Sequence, residues 1–265
     1  MHDALGDHPG VSAPVSESGI TNSVASAGRF RSWGATHCGA VRTHNEDAFV
    51  NRPDLGLWVV ADGAGGHQAG AVASGEVVRA LEALPPGLSA VDMLAAVRAE
   101  LDATHAYLRA EAARRGPDSV IATTVVILLA RDDHFACLWA GDSRAYLLRE
   151  GRMVQVTRDH SLVQDLVDSG AITAAEAERH PHSNIITRAV GVDGPFELEK
   201  RSGELRPGDR LLVCSDGINK CLPDAAIAAM LAADEDTPAE RMVLAALAAM
   251  VNDNVTAVAV EVRPG

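Results

Sequence analysis

The sequence repeatedly places an acidic residue at the end of an apolar segment, beside a glycine or another small residue. Asp62, Asp142 and Asp216 each follow such a segment, and Asp253 comes just before the last one. Strands packed in one sandwich bring their ends together, and buried carboxylates without partners are costly. A divalent cation is a natural partner, because oxygen ligands select hard ions such as Mg²⁺ or Mn²⁺ rather than zinc.

Turn geometry and ion pairing could also account for these acids. Asp and Gly are common in turns, so each Asp taken alone could serve a turn. The acids could also pair with basic side chains, although these are sparse nearby in the sequence and Arg144 is the nearest. Neither alternative explains why four such sites share the same character.

A further charged group, Arg42, Glu46 and Asp47, precedes the first apolar segment. An arginine fork matches a pair of phosphate oxygens, which a lysine cannot contact in the same bidentate way. This group therefore predicts a phosphate contact beside the acids, with an exposed charge cluster as the alternative.

Composition excludes several classes of partner. The 265 residues include 23 basic and 36 acidic side chains, which give a net charge of −13 with His neutral. Such a chain is a poor nucleic-acid binder, lacks the polybasic clusters that attract membranes, and has no apolar run near the ~20 residues of a bilayer span. The four cysteines are scattered, which argues against zinc and disulfide frameworks. We expect a cytoplasmic protein with no nucleic-acid and no membrane partner.

The chain divides into a tail and one domain. Residues 1–28 are rich in Ser, Gly, Ala and Pro and predict a flexible N-terminal tail, followed by a domain over residues 29–263. Strands are predicted at residues 57–61, 121–130, 134–140, 145–148, 153–156, 211–214 and 255–262, and helices at 68–84, 91–113, 225–233 and 238–251. Residues 159–192, with two short helical signals, look like an inserted segment. The hairpin-like joints predict an α/β sandwich of antiparallel sheets with helix pairs outside.

Six short motifs in this order resemble those of the metal-dependent protein phosphatases of type 2C, in their bacterial branch. They are Arg42-Thr43-His44-Asn45-Glu46-Asp47, Ala61-Asp62-Gly63-Ala64-Gly65-Gly66-His67, Ala122-Thr123-Thr124, Gly141-Asp142-Ser143-Arg144, Cys214-Ser215-Asp216-Gly217 and Asp253-Asn254. Each motif is weak alone, but six in one order over residues 32–262 are specific. The resemblance implies an αββα sandwich with a metal centre in a cleft between the sheets.

The resemblance also assigns roles to single residues in a centre of two Mn²⁺ or Mg²⁺ ions. Asp62 would bridge the two ions, and Asp216 and Asp253 would complete the protein ligands of the first. The Gly63 carbonyl would serve the second ion, with Glu46 as a direct or water-mediated ligand.

Further positions follow from the same resemblance. Asp47 would hold coordinated water, and Asp142 with Asp216 would match the acids that hold a third ion in bacterial members. Arg42 would bind the substrate phosphate. Residues 159–192 would form the flap beside the cleft. Within it, the sequence of residues 160–167 is similar to that of soluble phosphatases that accompany type VI secretion kinases.

The implied reaction is hydrolysis of phosphoserine and phosphothreonine in proteins by a metal-activated water, which reverses a bacterial Ser/Thr kinase. The partners would be phosphorylated proteins and a cognate kinase, and we expect a monomer. The alternative is a catalytically weak, phosphatase-like binding or regulatory module. Ala64 stands where eukaryotic relatives have a proton-donating His, so coordinated water and then His67 are the candidate acids, unless His67 only braces its loop. The flap histidines, His160 among them, are expected at the surface.

Overall fold

Two antiparallel sheets form the centre of the structure, a computed structural model that describes residues 19–65, 68–194, 196–234 and 237–264. The first sheet has the strand order β1-β2-β12-β11-β8-β9. Its strands are β1 (Thr21–Ala27), β2 (Phe30–His37), β8 (Arg144–Arg149), β9 (Arg152–Gln155), β11 (Arg210–Cys214) and β12 (Val255–Val262).

The second sheet has the order β10-β7-β6-β4-β3, with the short β5 paired to β4. Its strands are β3 (Asp47–Arg52), β4 (Leu57–Ala64), β5 (Ala122–Thr123), β6 (Val125–Arg131), β7 (His134–Ala140) and β10 (Glu199–Glu204). The two sheets face each other across one apolar layer that includes Trp58, Trp139, Val213 and Val258. Both faces of the central strands are therefore buried, which explains their continuous apolar runs.

Helices cover the outer face of each sheet. The helices of the described residues are α1 (Ala69–Glu82), α2 (Ala90–Arg115), α3 (Leu162–Asp168), α4 (Ala174–Ala177), α5 (Asp216–Asn219), α6 (Asp224–Ala232) and α7 (Pro238–Ala248), of which α3 and α4 lie in the segment 159–192. The first two pack on the second sheet through residues such as Val77 and Leu101, and α6 and α7 pack on the first through Ile227 and Val243. These layers confirm the predicted αββα sandwich. In the described residues, no helix has both the length and the apolar character needed to cross a bilayer.

The strand ends place the predicted acids at one end of the sandwich. Asp47 opens β3 directly opposite Asp62 in β4. Asp142 lies between β7 and β8, Asp216 follows β11, and Asp253 precedes β12. Because adjacent antiparallel strands alternate in direction, an acid after one strand and an acid before its neighbour lie at the same end of a sheet.

The structure corrects the predicted elements in three places. Part of the predicted tail is a strand, because Thr21–Ala27 pairs along its whole length with β2; residues 1–18 lie outside the described residues. The single strand predicted over residues 121–130 is two strands, since Thr124 leaves the ladder and its N–H donates to Asp62 O at 2.8 Å. The sequence does not predict the strands β3 and β10, because their residues are largely polar and partly exposed.

Candidate metal centre

Asp62 stands at the centre of the acidic cluster, on a backbone held from the neighbouring loop. Its carbonyl accepts hydrogen bonds from Thr124 N–H at 2.8 Å and Thr123 Oγ1 at 2.9 Å. Burial, followed by the charges of Asp47, Asp216, Asp142 and Asp253, raises the pKa of the Asp62 carboxyl well above its usual value. The predicted acids therefore act on one another, and they need a positive partner to be ionised together.

Asp47 is the most firmly held of the acids. Its Oδ2 accepts hydrogen bonds from Ser215 Oγ at 2.8 Å and Thr256 Oγ1 at 2.7 Å. Burial raises the pKa of Asp47 to about 7, with the two hydroxyl contacts opposing and the charges of Asp216 and Asp253 adding to the rise. Oδ1 of the same carboxylate is buried and has no hydrogen-bond partner.

Asp142 and Asp216 form a pair beside Lys220. The Lys220 Nζ lies 2.5 Å from Asp216 Oδ2 and 3.7 Å from Asp142 Oδ2. Burial and then the charge of Asp216 raise the pKa of Asp142 to about 7, against the influence of Lys220. Burial lowers the pKa of Lys220, but the two carboxylates more than offset it, so the pKa lies above its ordinary value.

Asp253 lies at the rim of the cluster and pairs with the predicted phosphate-binding residue. Arg42 Nη2 is 3.1 Å from Asp253 Oδ1, and Arg42 Nε donates to Asn252 O at 3.2 Å. More than half of the Arg42 side chain is exposed. The guanidinium is therefore anchored at the cleft and still open to an anion from solvent.

Close backbone packing brings Glu46 and Gly63 together. Gly63 N–H donates to Glu46 O at 3.2 Å, and a Cβ at Gly63 would stand 2.2 Å from Gly70 O. At Gly70, a Cβ would stand 2.9 Å from the Glu46 carboxyl carbon. Only glycines allow α1, β4 and the loop before β3 to approach this closely.

Asn254 fastens the loop that carries Arg42 and Glu46. Its Oδ1 accepts from Glu46 N–H at 2.8 Å, and its Nδ2 donates to Cys38 O and His44 O at 2.9 Å each. The amide thus connects the start of β12 to both ends of the segment 38–46. This explains why an asparagine follows Asp253.

The donor set fits a hard divalent ion. Asp47 Oδ1 and Asp142 Oδ1 are buried without partners, and the remaining donors are carboxylates and a backbone carbonyl. Within the described ranges, no three His, Cys, Asp or Glu side chains are grouped as a cage that could hold a metal ion. Two of the acids instead form ion pairs: Asp216 with Lys220 and Asp253 with Arg42. Mg²⁺ and Mn²⁺ do not require such a cage, since they keep several waters beside one or two carboxylates.

The structure brings most of the predicted site together. Asp47, Asp62, Asp142, Asp216 and Asp253 influence one another electrostatically. Glu46 and Gly63 join them through the close packing described above, and Arg42 through Asp253. His67 lies outside the described residues.

One alternative raised for the acids is not supported, and one prediction about a neighbouring side chain is wrong. Arg144 does not pair with the four acids, because it makes a bidentate ion pair with Asp159 at 2.7 Å. His160 is not at the surface: it is buried, its Nδ1 accepts from Gly141 N–H, and its Nε2 lies 2.9 Å from Glu199. The sequence reasoning also misses Lys220 as the basic partner, although its spacing of four residues from Asp216 is the signal that could have found it.

In this αββα sandwich the strand ends gather acids into one cleft, and such oxygen ligands suit a divalent cation. The sequence profile described as Protein phosphatase 2C matches residues 34–252. The chain belongs to this family.

Similar proteins agree with this membership. The chain is 38% identical over 226 residues to "Serine/threonine protein phosphatase PstP" of Mycobacterium tuberculosis. The aligned region covers 84% of this chain and 43% of that protein. The chain thus spans less than half the length of this relative.

Solved structures show the same fold. One described as "PppA, a key regulatory component of T6SS in Pseudomonas aeruginosa" is 39% identical, with a TM-score of 0.82 over 88% of this chain and 98% of that one. The catalytic domain of PstP in complex with two manganese ions is 36% identical, with a TM-score of 0.77 over 89% of this chain and 99% of that one. Membership in this family supports metal dependence for the cleft.

Proposed function

We propose that this protein hydrolyses phosphoserine and phosphothreonine in other proteins and needs Mn²⁺ or Mg²⁺ to do so. The observation that carries the proposal is the convergence of Asp62, Asp216 and Asp253 at one end of the sandwich, in a chain of the Protein phosphatase 2C family. A cluster of buried like charges is destabilising unless cations neutralise it. Cation binding therefore explains the presence of this cluster better than a contribution to stability does.

The cluster offers ligands for two ions. Asp62 would bridge them, Asp216 and Asp253 would hold the first, and the Gly63 carbonyl with Glu46 would hold the second. When bound, such ions polarise phosphoryl oxygens and make water nucleophilic at neutral pH.

The chain's own residues orient the reactants. Arg42 presents its guanidinium at the rim, where Asp253 positions it. There the guanidinium can donate to two phosphate oxygens at once. Asp47, fixed by two hydroxyl donors, keeps its free oxygen in the cluster and is suited to accept a hydrogen bond from water. Both roles need an oriented side chain more than a flexible one.

The leaving serine or threonine oxygen needs a proton. Ala64 is exposed at the end of β4 and has no proton to give. We propose coordinated water as the donor, with His67 as the second candidate. A His67→Gln variant separates them, because a donor role lowers kcat at neutral pH and alters its pH profile, whereas a water donor leaves both unchanged.

The phosphoproteins that this enzyme would act on are those of a cognate Ser/Thr kinase. The similarity to PppA, described as a regulatory component of T6SS, supports a setting in type VI secretion. Comparison of the phosphoproteome before and after deletion of the gene tests this setting. Phosphoserine and phosphothreonine sites of secretion components should accumulate.

The proposal is tested with purified protein and synthetic peptides that carry phosphothreonine, phosphoserine or phosphotyrosine. With Mn²⁺ present, phosphate should be released from the first two and much less from the third, and EDTA should stop the release. A catalytically weak binding module would instead retain phosphopeptides without turnover. Release that continues in EDTA would overturn the proposed metal dependence.

A further inference from the structure

The ammonium group of Lys220 joins three parts of the molecule. Its Nζ contacts Asp216 Oδ2 at 2.5 Å, lies 3.7 Å from Asp142 Oδ2, and donates to Asn184 Oδ1 at 2.8 Å. Asp216 opens α5, Asp142 follows β7, and Asn184 belongs to the flap. One side chain therefore connects the acidic cluster to the flap.

Local structure fixes the lysine in this place. Asp216 begins α5 and Lys220 follows its last residue, with Lys220 N–H donating to Asp216 O at 2.8 Å. An acid four residues before a lysine is the favourable order on a helix. The contact between the two side chains is thus a consequence of their spacing.

The choice of lysine is itself unusual in this chain. The sequence contains 21 arginines and two lysines, Lys200 and Lys220. An ammonium is a compact, strongly hydrated point charge, whereas a guanidinium is a flat fork. Of the two, the ammonium is closer in shape and hydration to a small metal ion.

The two carboxylates are set up to receive a cation. The Asp142 side chain is 5% exposed and that of Asp216 is 11% exposed. Asp142 Oδ1 has no hydrogen-bond partner. A divalent ion held by these two carboxylates would stand beside the ammonium, and their like charges would repel.

We infer that Lys220 is the resident cation of the Asp142–Asp216 pair, and that a divalent ion binds there only by displacing it. The inference rests on the proposed function, in which Asp216 would also hold the first ion together with Asp62 and Asp253, so that Asp216 would be shared between two ions. Displacement would also break the Lys220–Asn184 hydrogen bond. By thermodynamic reciprocity, a flap held by Lys220 weakens ion binding at this pair, and an ion bound there loosens the flap.

A groove next to Lys220 lies where the flap and the acidic cluster meet. It has a volume of about 680 Å³ and runs between the flap and the segment after α5, with Gln164, Ser183 and Pro223 among its lining residues. Lys220 and Asp142 line the same groove. A substrate segment lying there would touch the lysine that holds the flap.

The test measures Mn²⁺ binding to the full chain, by electron paramagnetic resonance of free Mn²⁺, without substrate. Lys220→Met should tighten the weakest Mn²⁺ site by at least about fivefold, the lower end of typical coupling effects. Lys220→Arg keeps a positive charge and should leave that site weak. Lys200→Met, at the exposed lysine in β10, is the matched control and should bind Mn²⁺ as the wild type does.

Hydrogen exchange supplies the second readout. Without added metal, Lys220→Met and Asn184→Ala should both increase amide exchange over residues 180–186, and Lys200→Met should not. An unchanged or weaker Mn²⁺ site in Lys220→Met would overturn the inference. Unchanged amide exchange over residues 180–186 in both Lys220→Met and Asn184→Ala would also overturn it. If the wild type were inactive on phosphopeptides, the proposed function would fail, while the Mn²⁺ titration would still decide the role of Lys220.

Discussion

Asp47 and Asp62 lie directly opposite each other in the antiparallel pair of β3 and β4. Like charges at opposed positions normally destabilise a sheet. Here burial raises the pKa of both carboxyls, and Asp47 adds to the rise at Asp62. The arrangement is explained if a cation joins the two strands when the site is loaded.

Mn²⁺ should therefore stabilise the folded protein. A ligand that binds only the native state at 100 times its Kd adds about 2.7 kcal/mol to the free energy of unfolding. The melting temperature should rise with Mn²⁺ in the wild type and rise much less in Asp216→Asn. A melting temperature that does not change with Mn²⁺ would contradict a metal-binding role for the acidic cluster.

The support of Asp47 can be tested at Ser215. Its Oγ donates to Asp47 and accepts from Thr256 N–H at 3.0 Å, in a buried setting. Ser215→Ala should lower the free energy of unfolding by about 1–3 kcal/mol, because it leaves buried polar groups unpaired. Urea denaturation measures the change, with Ser202→Ala on the exposed face of β10 as the control. Equal stability of the two variants would show that this contact contributes nothing.

The close approach of α1 to the acids rests on Gly70. A Cβ there would lie 2.7 Å from Gly63 C, whereas a Cβ at Gly75 in the same helix meets nothing within 4 Å. Gly75→Ala should stabilise the protein by about 0.5–1 kcal/mol through helix propensity. Gly70→Ala should instead destabilise it and lower activity, because Gly63 must shift. If both variants behaved alike in thermal melts, the close packing would be unimportant.

Stability below neutral pH should depend on His105. Its Nδ1 accepts a hydrogen bond from Gly191 N–H at 3.0 Å, and burial lowers its pKa. The unfolded chain therefore takes up the proton first, near the ordinary His pKa of about 6.5. The contribution of His105 is complete above that pH and is lost as the pH falls from it toward the lower folded pKa.

His105→Gln should accordingly flatten the loss of stability between neutral and mildly acidic pH. Urea denaturation at several pH values measures the slope, and His134→Gln, at an exposed position in β7, should keep the wild-type slope. A slope that is the same in all three proteins would remove His105 from this role.

The sequence predicts the acids well because strand ends in a sandwich converge, and Asp62 and Asp216 follow unmistakable apolar runs. It does not predict β1, since Thr21–Ala27 alternates between partly buried and exposed positions and is small and polar. Its pairing with β2 stabilises it, and that pairing is not visible in a local pattern. The burial of His160 escapes prediction for a similar reason, because Gly141 and Glu199 are distant in sequence.

The basic partners show the same limit. Lys220 is four residues from Asp216, so helical spacing would have joined them, but its contacts with Asp142 and Asn184 depend on three separate elements. Arg144 is close to Asp142 in sequence yet bonds to Asp159. Proximity along the chain therefore indicates Arg144 as the basic partner of Asp142 and Asp216, whereas the partner in the structure is Lys220.

The most direct test of the proposed metal centre is phosphate release from a phosphothreonine peptide by Asp62→Asn in saturating Mn²⁺. The change keeps the shape of the side chain and removes the charge proposed to bridge the ions. Activity should fall by more than about 100-fold, the upper range for lost outer contacts of a metal site. Asp118→Asn, at an exposed loop position, should retain wild-type activity. If folded Asp62→Asn turned over at the wild-type rate, the proposed metal centre would be contradicted.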